Sequence, residues 1–223
     1  MEHTVKPRRR YDSRRRREQA AATRRDIEAA ADKLFRQRGY VGTSMPVIAS
    51  EAGVVVETIY RAFGSKAGLF KAVLEAALAG GSERAELPPA ERPAIRAVIE
   101  ETDPRRKLER YAATQPGVHG RSSALYRVLV AAADSDPELR DVLNGIEARR
   151  LHGLGGLAAQ LAESRALRSD LSAEAARDII WTLCSTLVHD LLVHERSWTS
   201  ESYRDWLAAA LKRELLADLS ESS

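Results

Sequence analysis

Three glycines divide the first third of the chain into short segments, and their spacing constrains the fold more than any other feature. Before Gly39, the apolar residues from Ile27 to Phe35 recur every three or four positions, as on one face of an α-helix. Gly39, Gly53 and Gly64 then mark three helix ends. The pattern predicts a first helix at about 23–39, a second beginning at Thr43 or Ser44 and ending near residue 52, and a third at about 55–63. A long helix followed by two short ones joined at a tight turn is a helix-turn-helix arrangement.

The remainder of the chain also has the character of helices, and no strand pattern interrupts it. Ser65 is placed to cap a fourth helix, and the prolines of the segment 87–93 mark a loop, so the first domain ends near residue 80. Asp103-Pro104 and Asp136-Pro137 each place a capping aspartate before a proline at the first helical position. Further helices are expected at 104–113, 120–133, 137–163, 173–195 and 201–219. The fold class is therefore predicted to be all-α.

Charge is unevenly distributed along the chain. Residues 1–66 contain 15 Lys/Arg and 8 Asp/Glu, whereas the remaining residues contain 20 and 24. A basic N-terminal segment followed by a net acidic remainder is typical of proteins that bind a polyanion. Residues 1–22 carry two arginine runs, 8–10 and 14–17, with almost nothing apolar, so they are expected to form a basic arm that is flexible when free. The predicted organisation is an arm at 1–22, a DNA-binding domain at 23–80, and a larger domain at 81–223.

Several classes of protein are disfavoured. A single cysteine, Cys184, excludes an internal disulfide framework and fits a reducing, cytoplasmic location. No apolar run reaches the roughly 18–20 residues needed to cross a bilayer, because His189 and Asp190 interrupt the best candidate at 179–193. No membrane partner is therefore expected.

Motifs for catalysis are also missing from the sequence. There is no serine-nucleophile elbow, no glycine-rich phosphate loop after a strand, and no set of residues with metal-ligand spacing. His189 and His194 are five residues apart, which is a poor offset for two ligands on one face of an α-helix. We expect no enzyme, no catalytic residues, no cofactor and no metal. The remaining alternatives are a histone-like architectural binder, and a nuclear import signal or RNA-binding tail in the arginine runs.

The segment from Thr23 to about Phe70 resembles the TetR family of transcriptional regulators. Two stretches carry this resemblance as a pair: AADKLFRQRGYVGTSMPVIASEAGV at residues 30–54, and ETIYRAFGSKAGLF at residues 57–70. The resemblance implies contacts with phosphate or bases for one set of residues: Thr43 and Ser44 at the start of the second helix; Val55, Val56 and Thr58 where bases are read; Tyr60 and Arg61 at the end of the third helix; and Lys66 at the start of the fourth. For Tyr60, simple packing is the alternative.

Two valines depart from the family pattern. Val55 stands where a capping residue such as serine is usual, and Val56 where a polar residue or lysine is common. Valine cannot hydrogen-bond a base, but it can contact the methyl group of thymine. We therefore expect thymines at the contacted positions of the operator. We also expect Arg14, Arg15, Arg16 and Arg17 to add affinity, with the arm lying along the minor groove.

The larger domain is expected to bind a ligand and to dimerise. The family resemblance implies a four-helix dimer interface formed by the last two helices of each protomer, on double-stranded DNA with a palindromic operator. It also implies an interior pocket, for which the candidates by residue type and helix face are Tyr111, His119, Tyr126, His152, Trp181, Cys184 and His189. Because few of these are charged, a lipophilic small-molecule effector is expected. The implied function is a repressor released by that ligand, with an activator or a ligand-independent regulator as the alternative.

Overall fold

The protein divides into two compact helical units in a computed structural model that describes residues 8–217, with side chains from residue 15 onward. The division falls between Val73 and Leu74, slightly before the expected boundary near residue 80. Within the described residues the β structure is limited to one isolated bridge between Leu167 and Leu216. The prediction of an all-α fold with a helix-turn-helix ahead of a larger helical domain is confirmed.

The first unit contains the predicted three-helix arrangement. Helix α1 spans Arg8–Arg38, α2 spans Met45–Glu51, α3 spans Val56–Phe63, and α4, Lys66–Ala79, begins in this unit. Helix α1 begins at Arg8 instead of near Thr23, because residues 14–22 are arginine, glutamate, glutamine and alanine, all strong helix formers. The mobility of the arm in the free protein stays a prediction, and residues 1–7 lie outside the described part of the chain.

An aromatic cluster forms the centre of the first unit. The ring of Phe35 lies 4.9 Å from that of Phe70 and 5.9 Å from that of Tyr40, and Tyr40 meets Phe70 edge-on at 5.6 Å. Ile48 of α2 and Ile59 of α3 are fully buried in the same unit. Each short helix therefore inserts an isoleucine into the unit's interior, and this fixes which of its faces points outward.

The turn between α2 and α3 requires a left-handed backbone conformation. Gly53 has φ = +65°, a region that costs an L-residue roughly 1–2 kcal/mol. An added Cβ at Gly53 would meet no heavy atom within 4 Å, so only the backbone restricts this position. Gly64, with φ = +77°, ends α3 in the same manner.

The second unit consists of longer helices around one apolar core. After α4 it contains the short α5 (Ser82–Ala85) and a 3₁₀ turn (Pro89–Glu91), followed by α6 (Pro93–Glu100), α7 (Pro104–Ala133), α8 (Pro137–Glu163) and α9 (Ala173–Leu183). Next come α10 (Thr186–Asp190), a π-helical turn at Leu191–Glu195 and α11 (Ser200–Leu215). We call the π-helical turn the π segment. Helix α11 packs on α7 and α9, and α8 packs on α9 and α7. None of the described helices combines the length and apolar character that a bilayer span would need.

Two predictions about helix continuity were wrong. The segments 104–113 and 120–133 form one helix, α7, which continues through Pro116 because buried residues on both sides of the proline pack in the domain interior. The single helix expected at 173–195 is instead interrupted at Cys184, because the Ser185 hydroxyl accepts a hydrogen bond from the Val188 amide and starts a new helix. The predicted aspartate caps are confirmed: Asp103 accepts from the Arg106 amide at 2.8 Å, and Asp136 from the Leu139 amide at 3.2 Å.

Replacing Gly53 with alanine is expected to lower the free energy of unfolding by about 1 kcal/mol, because only the backbone conformation is penalised. The matched control is Gly153→Ala in the middle of α8, where an added Cβ also meets no heavy atom within 4 Å. That change is expected to stabilise the protein by up to about 1 kcal/mol, since alanine is the better helix former. Urea unfolding followed by circular dichroism measures both effects. Equal effects of the two substitutions would contradict the assignment of Gly53 to a strained turn.

Candidate functional site

Helix α3 presents a mixed surface of apolar, aromatic and basic side chains. Val55, which precedes its first turn, is 66% exposed and Tyr60 is 49% exposed, while Arg61 is also open to solvent. Val56 and Thr58, the other two expected base readers, are half-buried. Thr58 accepts a long hydrogen bond, 3.5 Å, from the Arg61 guanidinium one turn later. The outward face therefore includes Val55, Tyr60 and Arg61.

The side chain of Thr43 is not at the surface. It is 1% exposed, and its hydroxyl lies 2.8 Å from the carbonyl oxygen of Gly39 and 3.2 Å from that of Leu34. The hydroxyl thus ties the loop before α2 to the end of α1. The neighbouring Ser44 is exposed at the start of α2 and makes no side-chain capping contact there. Phosphate contact by Thr43 stays a prediction, and Ser44 carries the hydroxyl that faces solvent.

Lys66 stands at the first position of α4 and is held by an aromatic ring. Its Nζ lies 4.0 Å from the ring centre of Tyr40, a cation–π contact that limits the rotamers of a long, flexible side chain. The hydroxyl of Ser65 accepts a hydrogen bond from the Gly68 amide at 3.0 Å and so caps α4 as predicted. Lys66 is therefore oriented at a helix N-terminus, where backbone amides also favour an anion.

Arg24 is a functional candidate that reasoning from the sequence missed. From α1, its guanidinium donates to the Ala62 carbonyl at 3.1 Å and lies 4.1 Å from the ring centre of Phe63, both at the end of α3. The buried Glu28, one turn later in α1, pairs with Arg24 at 3.0 Å. No local pattern reveals this contact, because Arg24 and Ala62 are 38 positions apart in the chain. Arg24 thus braces the end of α3 against α1.

Glu57 is a further candidate that was not predicted from the sequence. It is exposed in the first turn of α3, where a carboxylate is favoured by the positive end of the helix dipole. A carboxylate at this position is able to accept a hydrogen bond from the N4 amino group of cytosine. The exposed face of α3 thus carries a carboxylate in addition to its apolar, aromatic and basic side chains.

Both arginine runs lie in the N-terminal part of α1. Arg15, Arg16 and Arg17 are exposed on this helix, whereas the side chain of Arg14 lies outside the described residues. The four arginines therefore occupy consecutive helical positions. Their contact with DNA stays a prediction.

The predicted pocket residues of the second unit fall into separate groups. The first lies in the interior: the rings of His119 and His189 stack 4.8 Å apart, and Tyr203 of α11, which the prediction omitted, meets them edge-on at 6.3 and 5.0 Å. Cys184 and Tyr111 belong to the same interior, in which the cysteine is 1% exposed and the tyrosine is half-buried. Burial raises the pKa of the Cys184 thiol to about 12, so this cysteine stays protonated and unreactive.

Two polar atoms in this interior have no hydrogen-bond partner among the described residues: the Nε2 of His119 and the hydroxyl of Tyr203. Burial, followed by the neighbouring His189, lowers the pKa of His119 to about 3, and burial raises the pKa of Tyr203. Both groups are therefore neutral near pH 7. Buried polar atoms are normally paired, so these two atoms are exceptions within the described part of the chain.

The second group lies around Glu147 of α8. Its carboxylate accepts hydrogen bonds from the Tyr126 hydroxyl at 2.7 Å and from the Trp181 ring nitrogen at 3.0 Å, and Arg150 pairs with it at 3.4 Å. Arg150 also donates to the Trp181 carbonyl. His152 is exposed on α8 and belongs to neither group. The polar atoms of Tyr126 and Trp181 are thus already hydrogen-bonded within the protein.

Comparisons with known proteins agree with this geometry. A family model described as "Bacterial regulatory proteins, tetR family" matches residues 27–73. The fold resembles that of native NalD from Pseudomonas aeruginosa, described as the secondary repressor of the MexAB-OprM multidrug efflux pump, with 25% identity, 89% of this chain and 99% of that chain covered, and a TM-score of 0.67.

Two further solved structures have a similar fold. A TetR-family regulator from Mesorhizobium loti MAFF303099 matches with 20% identity, 87% and 96% coverage and a TM-score of 0.67. A transcriptional regulator from Saccharomonospora viridis, solved with choline, matches with 20% identity, 89% and 100% coverage and a TM-score of 0.68. No curated protein matches the chain.

Replacing Arg24 with methionine is expected to weaken DNA binding about fivefold, because α3 loses its brace while retaining all of its outward side chains. The control is Arg25→Met, which removes the same charge from an exposed neighbouring position of α1. Fluorescence anisotropy with a labelled operator fragment measures both affinities. A loss of affinity that is equal in the two variants would show that Arg24 acts through its charge alone.

Proposed function

We propose that this chain, which carries the DNA-binding domain of the tetR family of bacterial regulatory proteins on the fold of TetR-family transcriptional regulators, is a cytoplasmic repressor that releases its operator when a small molecule binds. The observation that carries this proposal is the braced, outward-facing surface of α3. An α-helix with its side chains is about 10–12 Å across, which suits a major groove about 12 Å wide. NalD, of the same fold, is described as a repressor, and this supports repression over activation.

DNA contact would divide between phosphate and base recognition. Ser44, Tyr60, Arg61 and Lys66 are the proposed phosphate ligands, and Thr43 acts mainly by holding the loop in which Ser44 lies. Val55, with Val56 and Thr58 behind it, would face the bases. The arginines at 14–17 would neutralise further phosphates, each adding roughly 0.9 to the slope of log affinity against log salt concentration.

The size of the reading surface and several exposed apolar side chains support the proposal of a homodimer. One short helix reads only a few base pairs, whereas a symmetric dimer reads two half-sites. Leu187 of α10 is 69% exposed and Leu191 of the π segment is 50% exposed. In α11, by contrast, Tyr203, Leu207 and Leu211 are buried within the chain itself. Of the two segments expected at the dimer interface, the one around α10 therefore has the apolar surface that a partner would cover.

The proposed effector is neutral and largely apolar, with a polar group that meets His119 and Tyr203. Leaving a polar atom buried and unpaired costs about 1–3 kcal/mol, and a ligand that pairs with both atoms recovers this cost on binding. Both side chains are neutral, so neither of them supplies a counter-ion to a charged group. The Saccharomonospora regulator was solved with choline, which supports small-molecule binding in this fold.

The valines of α3 predict a specific sensitivity to thymine methyl groups. A site recovered from genomic fragments is resynthesised with uracil in place of individual thymines, which removes only the methyl group. Each contacted methyl is worth about 0.8 kcal/mol, or roughly a fourfold loss of affinity. Thymines outside the protected region are the control. A scan in which every substitution leaves the affinity unchanged would refute methyl contact by Val55 and Val56.

The dimer proposal predicts that Leu187→Glu raises the dimer dissociation constant at least tenfold, because the symmetric interface would bury two unpaired carboxylates. Leu87→Glu is the matched control, since Leu87 is exposed in the segment between α5 and the 3₁₀ turn, away from α10 in the sequence. Sedimentation velocity over a concentration series distinguishes the species. Unchanged dimerisation in Leu187→Glu would place the interface on another surface.

A further inference from the structure

Three side chains at the end of α10 converge in a way that the proposed function does not use. One ligand atom from each of His189, Asp190 and His194 lies within 4.8 Å of the others. The Nδ1 of His189 is 3.0 Å from the Oδ1 of Asp190, and the Nε2 of His194 is 3.6 Å from the same oxygen. Two imidazoles and one carboxylate thus face a common point.

The π segment is the reason that these residues meet. In an α-helix a five-residue offset separates two side chains around the helix axis, and on that basis we expected no metal site in the sequence. Here the Arg196 amide donates to the Leu191 carbonyl at 3.1 Å, an i→i+5 hydrogen bond. The wider turn brings residues five apart nearer to one face, so the rings of His189 and His194 are 5.6 Å apart. Single π turns occur frequently at functional sites.

We propose that His189, Asp190 and His194 bind a divalent transition-metal ion such as Zn²⁺, Ni²⁺ or Co²⁺. Imidazole nitrogen and carboxylate oxygen are ligands that these ions prefer. With metal–ligand distances of about 2.0–2.2 Å, adjacent ligand atoms of a tetrahedral ion are about 3.4 Å apart. The two contacts to Asp190, 3.0 and 3.6 Å, already bracket this value. Only the two histidines must approach each other, and the half-exposed side chain of His194 is free of the packing that holds His189.

Surrounding residues orient the three ligands. Arg127 of α7 contacts the other carboxylate oxygen of Asp190, Oδ2, at 2.5 Å, and so leaves Oδ1 directed at the histidines. The ring of His119 stacks on that of His189, and Tyr203 meets its edge. Such outer contacts fix ligand orientation, and their loss typically weakens metal binding 10- to 100-fold. Arg127 is 53% exposed, so the high dielectric of the surrounding water weakens the repulsion between its charge and the ion.

The site differs from the proposed effector pocket in its exposure. Its ligand His194 is half-exposed in the single chain, whereas the unpaired atoms of His119 and Tyr203 are buried. Three protein ligands also leave at least one coordination position for water or another molecule.

The test uses the full chain without an affinity tag and after chelator treatment. Titration with Co²⁺, followed by visible absorption, and with Zn²⁺, followed by calorimetry, is expected to show one ion per chain with a micromolar or tighter dissociation constant. His194→Gln is expected to weaken Zn²⁺ binding more than tenfold and to remove the Co²⁺ absorption. Because His194 lies at the surface, circular dichroism should show an intact fold.

Matched controls are His152→Gln, at an exposed histidine of α8, and His3→Gln. Both are expected to bind the ion as the unchanged protein does, whereas Arg127→Gln is expected to bind it about 10- to 100-fold more weakly. The proposal is overturned if the unchanged protein fails to bind either ion below millimolar concentration. It is equally overturned if His194→Gln binds as tightly as the unchanged protein, or if a control variant loses the ion instead.

Discussion

The orientation of one eight-residue helix depends on a small set of contacts in the first unit. Ile59 anchors α3 in the core, the aromatic cluster of Phe35, Tyr40 and Phe70 supports α1 and α4, and Arg24 holds the end of α3 through the Ala62 carbonyl and the Phe63 ring. A helix this short is not stable alone in water, so its order comes from packing. Without these contacts α3 would keep the same outward side chains, but it would no longer hold them in one fixed orientation.

The second unit shows how polar groups are distributed when a core is built mostly from alanine and leucine. Glu147 satisfies Tyr126, Trp181 and Arg150 in one network, whereas His119 and Tyr203 each keep one atom without a partner among residues 15–217. Hydrogen bonding therefore distinguishes two groups of aromatic residues that were equivalent candidates in the sequence. The buried His189 of α10 contacts His119 and Tyr203 and also belongs to the proposed metal site.

Local signals in the sequence were sufficient for the helix-turn-helix and for the aspartate caps. Glycines with positive φ, and a serine or aspartate at a helix start, act within a few residues, so their consequences are visible in a short window. The sequence did not predict the long α1, the continuity of α7 through Pro116, or the interruption at Ser185. These depend on competition between helix propensity, packing and one side-chain cap, and only the complete fold resolves that competition. Arg24 and the buried hydroxyl of Thr43 were missed as braces for the same reason, since their partners come from the folded chain.

Protection of DNA against nuclease cleavage is the most direct measurement of the central claim. The protein is mixed with fragmented genomic DNA, the bound fragments are recovered, and one of them is footprinted. We predict two discrete protected half-sites related by symmetry, with centres 10–10.5 base pairs or a multiple of that spacing apart. Diffuse protection along the whole fragment, with no preferred sequence, would contradict a dimeric operator-binding regulator and would favour an architectural DNA-coating protein.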